Sequence, residues 1–546
     1  MSRYNFEFPT SAYQEGVFDW VANDPVEGAE HGFVNAVAGS GKTYSLMCVT
    51  SLATGSIHQF AFNSHIASET GTKLKALGLN TKASSSTIHS AGRACVADHH
   101  EYATAARAAG RNWVNGNKYG NLVKDVFRMI TSDAKVGEWD VDPRTVSAIE
   151  DEYPIGDVRQ VVDLVRGNLL DPRNDDGIYE IVSHHGLVFH PAVYDSLPRI
   201  VREVVMRGLF ITGEIDFTDM IWLPTVKRMN PRQYDWVFVD EAQDLNPAQF
   251  AFVRKTIKPG GRMLFVGDRH QAIYGFAGAD CQSVTNIIEG LGAKELPLSV
   301  CYRCPVSHVK LAQEIVPHIE WAEGAKEGEV LNVNEDKISE MVREGDLMLC
   351  RTNAPLLKTC YQLIADGVPA RVRGRKIGEG LVKIVKDIRK KTENFDRFLD
   401  GLGDWETKHI DRVVRMKGDN EGAKAIIYDK VACLRVVYGA SDANSYDELT
   451  RSITNLFSDG RESVILSTVH KAKGLEAKRV FILKPELMPH PMARQPWEME
   501  QEKNLKYVAL TRAQETLVFV HEGGYMPGDG SEGDTETEED AEGVAS

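Results

Sequence analysis

Cysteine is scarce in this sequence. Its 546 residues hold eight, and only Cys301 and Cys304 stand close together. That is too few for the disulfide framework of a small secreted domain. A structural zinc would need two more ligands, and no second Cys or His pair at ligand spacing accompanies Cys301-x-x-Cys304. His99-His100 and His184-His185 read as surface polar residues. Long apolar runs are missing as well: none approaches the ~20 residues that a membrane span needs. The opening Met1-Ser2-Arg3-Tyr4-Asn5 lacks the apolar stretch of a signal peptide. The expected location is therefore the cytoplasm, with no membrane partner. Positive charge is not in excess either: 63 Lys and Arg face 78 Asp and Glu, for a formal net charge of −15. Nine of those acids lie in 522–546, which has no Lys or Arg, so the rest carries −6. A globally basic nucleic-acid binder is excluded. A basic and aromatic channel inside an acidic molecule is not.

The remaining composition is that of a globular protein, 42% hydrophobic and 26% charged, and the length calls for several domains. Residues 10–90 read as alternating helices and short apolar strands. The run from Gly32 to Val37 is a strand, a helix starts at Lys42, and a second strand starts at Ile57. Residues 91–206 are polar and rich in helix formers, with amphipathic stretches at 158–170 and 197–206. A helical insertion is the simplest account of them. Strand patterns resume at 234–240 and 262–267, then at 346–351 and 463–468, with a charged helical segment between the last two. The tail, 522–546, is mainly Gly, Asp, Glu, Ser and Thr and is expected to be disordered.

Two motifs carry chemistry. Ala36-Val37-Ala38-Gly39-Ser40-Gly41-Lys42-Thr43 joins a strand to a helix through small residues. Small residues let backbone N–H groups wrap a β-phosphate, so Ala38, Gly39, Ser40 and Gly41 are candidate phosphate contacts. Lys42 would meet the β- and γ-phosphates of a nucleoside triphosphate, and the Thr43 hydroxyl would reach Mg²⁺. Nearly two hundred residues on, Val237-Phe238-Val239 leads into Asp240-Glu241-Ala242-Gln243-Asp244. Adjacent acids after an apolar strand are equally compatible with plain strand-end solvation. Paired with the phosphate loop, Asp240 becomes a Mg²⁺ candidate and Glu241 the general base that polarises water.

In this form and order the motifs resemble a superfamily 1 helicase of the UvrD/Rep type. The resemblance runs in blocks from Phe8 to about Val520. It implies an α/β fold of two RecA-like P-loop domains with parallel sheets, each carrying a mainly helical insertion. The division is 1–90 and 207–295 for the ATP-binding domain, 91–206 for its insertion, 296–375 and 456–521 for the second domain, and 376–455 for a reduced second insertion. Gln14, after Tyr13, resembles the adenine-reading glutamine and implies ATP. Phe62 and Asn63, in Ala61-Phe62-Asn63-Ser64-His65, resemble a strand-contacting block, though Ser64 stands where relatives often have Lys. Thr87 and His89 resemble a second such block. Asp216-Phe217-Thr218-Asp219 is similar to a short acidic–aromatic block. In 266–279, Gln271 would sense the γ-phosphate, and Tyr274 and Phe276 would stack on bases, a sequence-independent contact of ~1–3 kcal/mol each.

In the second half, Cys301-Tyr302-Arg303-Cys304 resembles the Asn-Tyr-Arg-Ser block, with Tyr302 on adenine and Arg303 at the γ-phosphate. Arg351 lies in a block similar to Arg-Thr-Asn. In 466–476, Thr468 and His470 would touch the strand and Glu476 the ribose. Tyr507-Val508-Ala509-Leu510-Thr511-Arg512-Ala513 matches the last block, with Arg512 as arginine finger. Tyr44 replaces an Arg that relatives often carry.

The resemblance implies an ATP hydrolase that uses Mg²⁺, acts on single-stranded and partly duplex DNA, steps 3′→5′ and works as a monomer. A translocase that displaces proteins with little unwinding shares every motif. A nonenzymatic scaffold with a relic site fits the intact residue set poorly. Stacking does not read the sugar, so RNA stays open. The acidic tail is either a solubilising end or a contact for a protein partner with a basic surface.

Overall fold

The computed structural model describes residues 8, 10–23, 30–133, 143–152, 154–273, 282–415, 420–457 and 463–522. Tyr274, Phe276 and the tail beyond Glu522 lie outside them. Among the described residues, no helix is long and apolar enough to cross a membrane.

Two six-stranded parallel sheets organise the chain. The first holds β1 (Gly32–Ala36), β2 (Ile57–Ala61), β3 (Ala83–Thr87), β4 (Tyr234–Val239), β5 (Ile257–Gly267) and β6 (Lys294–Leu298), in the order β3-β2-β4-β5-β1-β6. A two-stranded pair, β7 (Val300–Cys301) and β8 (Glu320–Trp321), follows. The second sheet holds β9 (Glu329–Asn334), β10 (Leu347–Cys350), β11 (Ala370–Val372), β12 (Val464–Thr468), β13 (Ala477–Leu483) and β14 (Ala513–His521), in the order β11-β12-β10-β13-β14-β9.

Burial on both faces explains why these strands read as continuous apolar runs rather than alternating ones. In the first sheet, Phe33, Phe60, Val237, Val239 and Phe265 pack with the inserted helices. Their chain neighbours Val34, Trp236, Phe238, Leu264 and Val266 pack on the opposite face with residues of Ala12–Ala22 and Lys42–Leu52. The second sheet repeats the scheme. Met348, Phe481 and Val518 face Leu381, Phe398, Val437 and Leu449 of the second set of helices, while Leu349, Val480 and Leu517 face the other way. Two RecA-like domains with parallel sheets, each carrying a mainly helical insertion, is therefore the fold.

One boundary moves. The sequence pattern ends the first domain at residue 295, but β6 pairs with β1 as far as Ala36 against Leu298. An apolar run announces a strand without saying which sheet will take it. The amphipathic stretch at 197–206 lies in the helix Pro191–Phe210, and the one at 158–170 runs three residues past the end of the helix Ile155–Gly167.

Candidate nucleotide site and strand interface

The strand order sets β4, β5 and β1 side by side, so the segments leaving their carboxyl ends converge. Gly39 and Gly41 hold positive φ, 68° and 78°, which lets the loop after β1 turn tightly into the helix Lys42–Leu52. Its backbone is fastened from two directions. Val37 donates to Leu298 O at 3.0 Å, and Gly39 O accepts from Tyr302 N–H at 2.8 Å. Among the described residues the buried Ser40 hydroxyl has no hydrogen-bond partner, and Thr43 is exposed beside it.

Gly39 is the point of closest approach. A Cβ there would sit 2.7 Å from Arg303 Cβ and 2.9 Å from Cys301 Sγ. Gly39→Ala is expected to push the phosphate loop off the Arg303 segment and weaken ATP binding by at least tenfold, at ~1.4 kcal/mol per decade. Titration with a fluorescent ATP analogue checks this, and unchanged affinity would contradict it.

Asp240 and Glu241 follow β4. Glu241 has φ 51°, a left-handed backbone unusual for a non-glycine. Its N–H donates to Asp240 Oδ1 at 2.9 Å and its carbonyl accepts from Asp244 N–H at 3.1 Å. Gln243 Nε2 donates to Glu241 Oε2 at 2.5 Å, while Gln243 Oε1 accepts from Asp268 N–H at 3.1 Å. The side chain of Gln243 thus bridges the ends of β4 and β5. Lys42 Nζ stands 3.7 Å from Glu241 Oε1. Burial opposes ionisation of Glu241, but the charges of Lys42 and Lys473 outweigh it and hold the carboxyl down to about 2. Burial and the Glu241 charge push Asp240 up to about 7. Burial also pulls on the Lys42 ammonium, yet Glu241, Asp268 and Asp240 leave it raised. Hard oxygen donors and an under-compensated buried carboxyl make Thr43 and Asp240 a fitting pair for Mg²⁺.

The second domain closes the site. Arg512 is buried; its Nε donates to Val508 O at 2.9 Å and its Nη2 to Gln271 Oε1 at 3.3 Å. Burial and the neighbouring Arg303 pull its pKa down to about 10. Gln271 Nε2 donates to Asp268 Oδ2 at 2.7 Å. Lys473 reaches across to Asp244 Oδ2 at 2.6 Å and to Gln271 O at 2.7 Å. Arg303 Nε pairs with Glu476 Oε2 at 2.5 Å, so Glu476, the ribose candidate, here engages the γ-phosphate candidate. Tyr302, half exposed, donates its hydroxyl to Gln14 Oε1 at 3.1 Å. Gln14 Nε2 in turn donates to Ser45 Oγ at 3.1 Å. The two adenine candidates, 288 positions apart, are thus hydrogen-bonded to one another.

The strand candidates are less alike. Phe62 is 50% exposed, as a stacking ring must be. Asn63 and Thr87 cap the helices Ser64–Ala76 and Ile88–Asp98, accepting from Ile66 N–H at 2.9 Å and Ser90 N–H at 3.1 Å. Arg351 is clamped by Glu502 through contacts of 2.6, 2.8 and 2.9 Å. Burial lowers the pKa of both His89 and His470, the latter to about 3, and Thr468 is buried. Gln243, Asp268, Lys473 and Tyr507 belong to the site without having been singled out from sequence. The Asp-Glu-x-Gln-Asp spacing is the one local signal that marks Gln243.

Comparison with known proteins decides the family. The UvrD/REP helicase N-terminal domain matches residues 23–290, and the UvrD-like helicase C-terminal domain matches residues 381–522. The chain belongs to the UvrD/Rep family of superfamily 1 helicases. It is similar to F-box DNA helicase protein 1 of Schizosaccharomyces pombe, 24% identical over 53% of this chain and 34% of that protein. It is similar to ATP-dependent DNA helicase PcrA of Staphylococcus epidermidis, 23% identical over 60% of this chain and 62% of that protein. A solved complex of Arterivirus nonstructural protein 10 (helicase) with DNA aligns with 90% of this chain and 61% of its own at 10% identity and a TM-score of 0.34. The chain thus spans between a third and about three-fifths of the length of these curated relatives.

Proposed function

We propose that the chain is an ATP-dependent DNA helicase that moves 3′→5′ on single-stranded DNA and separates duplex. The observation that carries the reading is the hydrogen-bonded set spanning the two domains. Gln271, joined through Asp268 and Gln243 to Glu241, meets Arg512 of the second domain, and Arg303 lies against the phosphate loop. ATP is held from both sides: Lys42 and the loop N–H groups, apart from that of Ala38, which the Tyr507 hydroxyl takes, hold its phosphates, and Gln14 and Tyr302 its base. Glu241, ionised, accepts from the attacking water. Arg512 and Arg303 stabilise the charge of the transferring phosphoryl group. Thr43 and Asp240 would hold Mg²⁺, which would supply neutralisation of phosphate charge when bound. Loss of the shared phosphate removes what both domains grip, and the cleft reopens. Phe62, 50% exposed, is the strand contact that its surroundings favour most. Asn63, Thr87, His89, Tyr274, Phe276, Arg351, Thr468 and His470 are carried over from the family resemblance, and the track they would form alternates its grip with the cleft. Polarity is carried over from the family resemblance.

Glu241→Gln keeps shape and removes the base. Hydrolysis stimulated by single-stranded DNA is expected to fall at least a hundredfold, with ATP binding retained. Hydrolysis in the wild type that is absent or indifferent to DNA would overturn the motor reading. The second insertion, at 376–455 in the proposed division, is compact, with helices at Arg375–Arg389, Phe398–Val414, Asn420–Ala440 and Tyr446–Leu456. That favours keeping a second reading, a translocase that strips proteins with little unwinding. Strand separation and protein displacement measured on one DNA divide the two. The chain works in the cytoplasm as a monomer, and the acidic tail is either a solubilising end or a contact for a basic protein partner.

A further inference from the structure

Among the described residues, Tyr507 is the one aromatic ring whose hydroxyl enters the phosphate-binding loop from the second domain. It lies near the end of the helix Pro496–Leu510, five residues before Arg512, and is fully buried. Its ring packs with Val37 and Ala38 of the loop and with Cys301, Cys304 and Val309 of the second domain. Apolar packing accounts for a phenylalanine at this position. It does not account for the hydroxyl.

The hydroxyl is used at both ends. It accepts from Ala38 N–H at 2.8 Å and donates to Asp268 Oδ2 at 3.4 Å. Asp268 Oδ2 also accepts from Gln271 Nε2 at 2.7 Å, and Gln271 Oε1 accepts from Arg512 Nη2 at 3.3 Å. The result is one hydrogen-bonded line: Ala38, Tyr507, Asp268, Gln271, Arg512. It starts on the loop that cradles phosphate and ends on the guanidinium. A branch leaves through the Asp268 N–H to Gln243 and on to Glu241. Burial raises the Tyr507 pKa, so the hydroxyl keeps the proton that it donates. Asp268, with Oδ1 taken by His270 N–H at 3.0 Å, has one oxygen left to orient the Gln271 amide. Which way that amide faces decides whether its oxygen or its nitrogen meets Arg512.

We propose that Tyr507 is a positioning residue for ATP hydrolysis, coupling the phosphate loop to the γ-phosphate sensor Gln271 and the finger Arg512. It rests on the hydrolysis reading above. The hydroxyl touches neither water nor phosphorus in this role. It acts by fixing Asp268, and through Asp268 the amide that meets the finger.

The test is Tyr507→Phe, which keeps the ring and its packing. Full-length wild type, Tyr507→Phe and Glu241→Gln are compared in steady-state ATP hydrolysis with an oligodeoxythymidylate. Affinities for ADP and for a nonhydrolysable ATP analogue are measured on the same proteins, with thermal melting. The expected result is a kcat roughly tenfold lower in Tyr507→Phe at a KM for ATP within about twofold of wild type. The preference for the ATP analogue over ADP should shrink by a similar factor, with the melting temperature held. Wild-type kcat and preference in Tyr507→Phe would overturn the proposal. So would a raised KM with a lowered melting temperature, which would make the hydroxyl structural only. If wild type hydrolyses nothing, the hydrolysis reading fails on its own, and the analogue-to-ADP preference still decides whether Tyr507 couples the loop to Gln271.

Discussion

Arg512→Lys is expected to lower DNA-stimulated ATP hydrolysis by about a thousandfold while leaving ATP binding within a few-fold of wild type. The charge survives the substitution, but the fork does not. Arg512 spends Nε on Val508 O at 2.9 Å and Nη1 on Leu475 O at 3.3 Å, which fixes the plane of the guanidinium. Nη2 is then aimed at Gln271 Oε1 and into the cleft. A lysine ammonium on a flexible stem would satisfy one of these carbonyls and point wherever that carbonyl lies. Burial and Arg303 already draw the guanidinium pKa down to about 10, so a lysine in the same place would lose its proton more readily. Steady-state hydrolysis with single-stranded DNA gives the rate, and a fluorescent ATP analogue gives the affinity. A rate within tenfold of wild type would remove Arg512 from the chemistry. A matched loss of affinity would make it a binding residue instead.

The parts of this site that were legible in sequence share one property: their meaning is local. Gly39, Gly41 and Lys42 sit in a loop whose spacing alone says phosphate, and Asp240 and Glu241 follow a strand whose apolar run is visible. What was not legible is long-range. Lys473 meets Asp244 across 229 positions, and Tyr507 meets Ala38 across 469. No periodicity or propensity encodes such a meeting; it follows from the way segments of the two domains meet. The strand candidates teach a related point. A Thr or Asn at a strand end reads the same whether it grips a phosphate or caps a helix, and Asn63 and Thr87 do cap helices. Arg351 looked like a cation aimed at a strand, and its guanidinium is held by Glu502, 151 positions later. The strands themselves were visible as apolar runs, but the place of β6 in the first sheet rests on pairing with β1, which the run does not reveal.

Removing Arg166 should cost roughly 3–5 kcal/mol of stability, because it strands a buried carboxylate that Lys118 alone cannot neutralise. Arg166 is fully buried in the helix Ile155–Gly167. Its two terminal nitrogens reach Asp216 at 2.9 and 2.8 Å, and Nη1 also reaches Asp219 at 2.9 Å. Its Nη2 bonds Asp163 as well, and the guanidinium lies 3.4 Å over the Tyr119 ring. Lys118 supplies the other buried cation, 2.7 Å from Asp219. One cation cannot balance Asp216 and Asp219 together, so Arg166→Ala leaves a buried negative charge and a void beside Tyr119. Urea titration followed by tryptophan fluorescence is a suitable readout, since the Trp222 ring lies 5.9 Å from the guanidinium. A midpoint unchanged from wild type would mean that water reaches the cluster. The consequence extends beyond stability. Asp216 and Asp219 open the segment that leads through the helix Asp219–Val226 into β4, and β4 carries Asp240 and Glu241 at its end. The same guanidinium that ties the helix Ile155–Gly167 to the helix Asp219–Val226 therefore also steadies the approach to Asp240 and Glu241, the proposed catalytic acids. Arg166→Ala should loosen the coupling between DNA and hydrolysis at urea concentrations well below the unfolding midpoint, and a DNA stimulation factor that held constant up to that midpoint would separate the two roles.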